Sequence, residues 1–213
     1  CQRRDIGDFD LMVLSTYKKT IPIIMIIVIL TLIGGCQTTT TTTMKTSTIQ
    51  ESQGNNTNSS TIVALETNYG TITIKLRQDM PITTNNFAGL VKKGTYDNTI
   101  FHRIIPNFMI QGGDPTGTGY GDRTIPQIKD EFKGEQKNNK GTIAMANAGP
   151  NTGSSQFFIN LANNNFLDGK HPVFGDVIEG MNVIDAIANV ETGNADRPVK
   201  DVTILKARIN TEQ

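Results

Sequence analysis

Arg103 is a permanently charged guanidinium set among bulky apolar side chains in the run from Phe101 to Asp114, FHRIIPNFMIQGGD. In an extended segment Met109 and Gln111 share one face and Ile110 takes the other, so a thioether and an amide are displayed together. A mixed apolar and hydrogen-bonding surface results. Spacing alone leaves blander readings open: Arg103 as a surface salt-bridge partner, Phe108 and Met109 as core filler, Gln111 as a strand-edge cap. The other candidate chemistries are weaker. Gly117-Thr118-Gly119-Tyr120-Gly121 lacks the Gly-Lys-Ser/Thr ending of a phosphate loop and no helical pattern follows it, so a flexible connection is expected. Ser154-Ser155 has no nucleophile-elbow frame. Asp130-Glu131, adjacent charges in a Lys-rich stretch, reads as a solvated face. His102 and His171 are the only histidines and Cys1 and Cys36 the only cysteines, which excludes a multi-histidine zinc site, a disulfide framework and cysteine catalysis in the domain.

The elements that must position this run come from a chain of 213 residues, 37% hydrophobic, which is enough for one ordinary domain. Its 20 basic and 20 acidic residues cancel, leaving no bulk field for nucleic acid, and no nucleic-acid partner is expected. Ile62 to Glu66 and Thr71 to Arg77 alternate around Asn68-Tyr69-Gly70, a hairpin pattern. Pro81 can open a helix in which Phe87, Leu90 and Val91 share a face before Gly94 stops it. Val183, Ile184, Ile187 and Ala188 predict a second helix over Met181 to Val190. Short apolar runs at Thr99 to Ile105, Phe108 to Gln111, Thr142 to Ala146, Gln156 to Leu161 and Val202 to Ile209 read as strands. Many short strands with Gly-rich connections and two helices point to an antiparallel barrel over residues 61–211 rather than a parallel sheet.

The first third reads as an address. Tyr17-Lys18-Lys19 precedes an apolar run, Ile21 to Ile33, that as a helix would reach only about 20 Å, short of the roughly 30 Å of a hydrocarbon core. A signal peptide is therefore expected over residues 1–36, ending in Gly34-Gly35-Cys36, which resembles a lipoprotein box and predicts acylation of Cys36. Plain secretion or an uncleaved anchor are the alternatives. Residues 37–60, with Thr38 to Thr43 followed by Ser, Asn and Gln, cannot bury a core and predict a disordered tether. Asn55 and Asn58 head glycosylation patterns. An extracytoplasmic protein held to a membrane is the expectation.

The run FHRIIPNFMIQGGD, with Met145 to Asn160 (MANAGPNTGSSQFFIN) and Phe166 to Gly175 (FLDGKHPVFG), resembles the cyclophilin family of peptidyl-prolyl isomerases over nearly all of residues 62–210. The resemblance implies a mainly β fold, a closed eight-stranded antiparallel barrel capped by two α-helices, with its active surface on the outside. It implies that Arg103 is the catalytic arginine, acting with Phe108 and Gln111, and that Phe108, Met109, Phe158 and Leu167 wall a proline pocket. Gln111, Ala146, Asn147, Gln156 and His171 would align the peptide backbone. His102 is left as structural. Alternation sends Phe157 and Phe158 to opposite faces, with Phe158 expected in the pocket. Phe166 stands where many eukaryotic relatives carry tryptophan, a departure that removes one contact to cyclosporin without necessarily impairing turnover. The implied activity is rotation of X-Pro bonds in exported or surface client proteins, by a monomer that needs no metal or other cofactor. A non-catalytic proline-peptide binding module or holdase is the competing class.

Overall fold

The computed structural model describes residues 60–211, and it opens on the expected hairpin: β1 (Thr61–Thr67) and β2 (Gly70–Leu76). Thr67 Oγ1 donates to the Gly70 carbonyl at 2.7 Å and accepts from the Tyr69 N–H at 3.1 Å, closing the turn. The run expected as one strand from Thr99 to Ile105 is divided into β3 (Thr99–Ile100) and β4 (Arg103–Ile105). Phe101 and His102, both buried, lie between them. Then come β5 (Met109–Gly112), β6 (Thr142–Met145), β7 (Phe157–Asn160), β8 (Val173–Glu179) and β9 (Thr203–Thr211). All pairings are antiparallel, in the order β3-β9-β1-β2-β8-β6-β7-β5-β4. An isolated bridge between Ile100 and Asp114, just beyond β5, brings the two ends of this curled sheet together. The expected β architecture is thus present, with nine strands instead of eight because of the division at Phe101.

Helix α1 (Pro81–Lys92) starts at Pro81, whose fixed φ and missing N–H suit a first helical turn. It buries Phe87, Leu90 and Val91, the face the spacing predicts. Phe87 stacks among Tyr96, Phe157 and Phe174 with ring centroids 5.1–5.4 Å apart. Helix α2 (Met181–Ala188) buries Ile184, Ile187 and Ala188. Buried side chains divide into a large interior cluster and a small one made of Met109, Ala144, Phe158 and Val173. Ile110 and Phe157 belong to the first and their neighbours Met109 and Phe158 to the second. Adjacent residues of one strand therefore face opposite sides of the wall.

Asp130-Glu131 is not a solvated pair. Glu131 is only 4% exposed, and its Oε2 accepts from the Ile82 and Thr83 N–H groups at 2.9 and 3.2 Å. The first turn of α1 carries no acidic residue of its own, so a carboxylate from a distant loop satisfies its free donors and meets the positive end of the helix dipole. Glu131→Ala should lower the unfolding free energy by about 2 kcal/mol, since two helix-start N–H groups, that of Thr83 buried and that of Ile82 partly so, lose a charged acceptor. Denaturant unfolding of the two proteins measures this; an unchanged midpoint would show that water replaces the cap.

The leader, Cys36, the residue 37–60 tether, and Asn55 and Asn58 lie outside the described residues.

Candidate active site

Strand register assembles the site. Arg103 on β4 pairs with Gln111 on β5, Gln111 pairs with Phe158 on β7, and Phe158 pairs with Ala144 on β6. Directly opposed residues in adjacent strands share a face about 5 Å apart, so cation, amide and aromatic ring form one row across the sheet. The next row on that face begins with Ile105 opposite Met109. Around Met109, Phe158, Ala144 and Val173 pack the partly buried Ile105, Phe108, Ala146 and Leu167, forming an apolar notch beside Arg103.

The walls of the notch are fixed through their backbones. Asn107 takes a left-handed φ of +59° in the β4–β5 turn and delivers Phe108, whose carbonyl accepts from Leu161 N at 2.9 Å and Asn164 Nδ2 at 2.7 Å. Phe166, on the 3-10 turn Asn165–Leu167, lies stacked on Phe108 with centroids 5.9 Å apart and 18° between ring planes. It remains 64% exposed, a lid on the notch rim rather than part of its floor. His171 stands edge-on to Phe158 at 5.4 Å, and its Nδ1 lies 3.1 Å from the Met145 carbonyl. Because a carbonyl only accepts, Nδ1 is the donor in this contact.

Gln111, Ala146, Asn147 and Gln156 border an adjoining cavity of about 580 Å³, Ala146 being shared with the notch. His171 is not among the residues that border this cavity; it stands against Phe158, the residue opposite Gln111. Gln111 Nε2 donates to Gln156 Oε1 at 3.0 Å, and Gln156 Nε2 donates to the Gly119 carbonyl at 3.0 Å. Asn147 is held by its Nδ2 on the Lys170 carbonyl at 2.8 Å.

The Gly117–Gly121 segment is an organised wall of this cavity, not a slack connection. Asp114 is fully buried; its Oδ1 accepts from Thr116 N and Oγ1 at 2.9 and 2.8 Å, and its Oδ2 from Gly119 N and Gly121 N at 2.7 and 3.1 Å. Burial pushes this carboxyl up, but the hydrogen bonds outweigh it and hold the pKa below the ordinary carboxylate value. Sequence reasoning passed over Asp114 as a functional support, although Asp-Pro-Thr followed by alternating glycines is the pattern of an Asx turn feeding left-handed residues. Beside it His102 is buried with Nδ1 unpartnered, packed where a Cβ on Gly119 would come within 3.3 Å of its ring.

The region from 62 to 209 matches the family model described as cyclophilin type peptidyl-prolyl cis-trans isomerase/CLD. The chain belongs to the cyclophilin family. A peptidyl-prolyl cis-trans isomerase-like 1 of Gibberella zeae is 51% identical over 158 residues, 72% of this chain and 98% of its own. One from Mus musculus is 51% identical over 149 residues, 68% of this chain and 90% of its own. A Cryptosporidium parvum cyclophilin type peptidyl-prolyl cis-trans isomerase solved in the presence of the dipeptide Ala-Pro superimposes with a TM-score of 0.68 at 36% identity, covering 71% of this chain and 99% of that one. The cyclophilin chain is thus a peptidyl-prolyl cis-trans isomerase.

The expectation that residues 1–60 hold the protein outside the cytoplasm, by a lipid on Cys36, an uncleaved segment or secretion, is overturned. The isomerase-like 1 relatives are matched over nearly all of their own length, leaving them little sequence for an equivalent leader and tether. Among the described residues no helix is long and apolar enough to cross a membrane.

Burial lowers the His102 pKa below the ordinary value of 6.5, with the positive charges of Arg197 and Arg103 adding to the effect and Asp114 opposing it. The unfolded chain then binds a proton near pH 6.5 that the folded one refuses, so stability should decline as pH falls below about 6.5 and level off only below the folded pKa. Urea unfolding at a series of pH values would show this slope, and His102→Gln should flatten it; an equal slope in both proteins would assign it elsewhere.

Proposed function

We propose that the Arg103 face receives an X-Pro segment of a client protein, seats the prolyl ring in the notch of Phe108, Met109, Phe158 and Leu167, and rotates the preceding amide, thereby assisting folding. Residues 61–211 act as the isomerase domain and work as a monomer, with residues 37–60 as a connecting segment. The single observation that carries the reading is the strand register that puts Arg103, Gln111 and Phe158 in one row beside the apolar notch. The Ala-Pro dipeptide in the structure of the Cryptosporidium parvum relative supports the ligand class.

An X-Pro bond resists rotation because nitrogen donates its lone pair into the carbonyl, giving a barrier of roughly 18–20 kcal/mol. In the twisted transition state the nitrogen regains that lone pair, and a guanidinium N–H binds it better than it binds the planar ground state. A charge-assisted hydrogen bond contributes about 1.5–3 kcal/mol, whereas a ten-thousandfold acceleration requires about 5.5 kcal/mol. The rest comes from fixing one side of the bond while the other turns. The notch clamps the ring; Gln111 and Asn147, both held at hydrogen-bonding distance by neighbours, present polar groups to the backbone. Rotation makes and breaks no covalent bond, so the chain calls on no nucleophile and no cofactor.

Arg103→Ala should keep the fold and lower isomerisation of an Ala-Pro peptide about a hundredfold, the equivalent of one charge-assisted hydrogen bond. Exchange NMR reads binding and rotation separately; unchanged rotation would remove the mechanism, and binding without acceleration in the unaltered protein would make it a binding module or holdase. Phe108→Ala, which deletes a notch wall and the stacking partner of Phe166, should weaken peptide affinity about tenfold. Unaltered affinity in a peptide titration would take Phe108 out of the pocket.

A further inference from the structure

One carboxylate orients the Arg103 guanidinium. Its Nε donates to Asp196 Oδ2 at 3.2 Å, and among the described residues neither terminal nitrogen has a hydrogen-bond partner. The two side chains are 42% and 46% exposed, and an exposed pair of this kind adds little to stability. What it fixes is direction. A guanidinium presents its donors in a rigid planar fork, so an acceptor on Nε sets the plane of the fork while the terminal nitrogens stay available to a ligand.

Asp196 reaches that position through an unfavourable backbone. It ends the 3-10 turn Asn194–Asp196, where Ala195 (φ +58°, ψ +32°) and Asp196 (φ +59°) are both left-handed, a conformation costly to any residue with a Cβ. Two such residues in succession persist only where their surroundings over-determine them. Here Gly193 N donates to the Arg197 carbonyl at 2.7 Å, Val199 N to the Glu191 carbonyl at 2.9 Å, and Thr192 bridges Pro198. Arg197 Nη1 donates to the Gly117 carbonyl at 2.7 Å, pinning the turn to the Asp114-centred loop. The strained turn is therefore strapped to the loop whose Gly119–Gly121 part borders the cavity, with its carboxylate directed at the cation.

We infer that Asp196 is a positioning residue for the isomerisation, holding the Arg103 fork in the plane that meets the prolyl nitrogen. The inference rests on Arg103 being the cation that acts on the substrate. Asp196→Gly removes the carboxylate and relieves its left-handed strain together, so the melting temperature should hold or rise. The turnover rate from exchange NMR on an Ala-Pro peptide should fall about three- to fivefold, the size expected for loss of one exposed ion pair, with peptide affinity unchanged. Asp196→Asn, which keeps an oxygen acceptor, should recover part of the rate, and the Arg103 Nε–Hε resonance should shift and exchange faster with solvent in the glycine variant. In an Arg103→Ala background Asp196→Gly should change nothing. Normal turnover in Asp196→Gly, or the same loss without Arg103, overturns the positioning role. If Arg103→Ala itself turns over normally, the reading of Arg103 fails first; if it is slow while Asp196→Gly is normal, only the role of Asp196 falls.

Discussion

The geometry of the candidate site in this cyclophilin depends on hydrogen-bond register between short antiparallel strands. Arg103, Gln111, Phe158 and Ala144 come from four different strands, and nothing but the pairing of those strands puts them in one row. A slip by one residue would turn each of them to the other side of the sheet. Inside, Phe101, Tyr96 and Phe87 meet Phe157 edge-on at 5.4–6.2 Å and resist such a slip. The apolar interior thus holds the outer face of the sheet in place.

A second layer of control is built from buried acceptors. Asp114 gathers the N–H groups of a glycine-rich loop around one carboxylate, and Glu131 does the same for the start of α1. Both solve one problem, that a loop and a helix start expose backbone donors that neither helix nor sheet bonding satisfies. The loop held by Asp114 then passes its order along: Gly119 holds Gln156, and Gln156 holds Gln111. Gln111 and the strained turn that carries Asp196 are therefore tied to the same loop from two sides, by Gln156 and by Arg197.

Much of this was readable from local pattern. The hairpin, the apolar face of α1 and the opposite facing of Phe157 and Phe158 follow from periods of two and of 3.6 residues, and they hold within a residue or two. What escaped has physical reasons. Strand β8 lacks strict alternation and carries Gly175, where an added Cβ would lie 2.8 Å from the Lys75 carbonyl, a close approach that sequence does not announce. Glu131 looks like any charged loop residue until the fold brings α1 to it from 49 positions away. Asp196 meets Arg103 across 93 positions, through a backbone conformation no propensity favours. The apolar stretch before Gly34, persuasive by itself, pointed to a location that the relatives do not support.

Strand β7 has a wall's thickness of a single residue, with Phe157 in the aromatic interior and Phe158 in the outer cluster of the candidate site. Interior packing and recognition are therefore inherited together along this strand. Point substitutions can tune either side independently, but an insertion or deletion within Phe157–Asn160 would swap both at once, leaving drift in this segment almost wholly confined to exchanges of like for like.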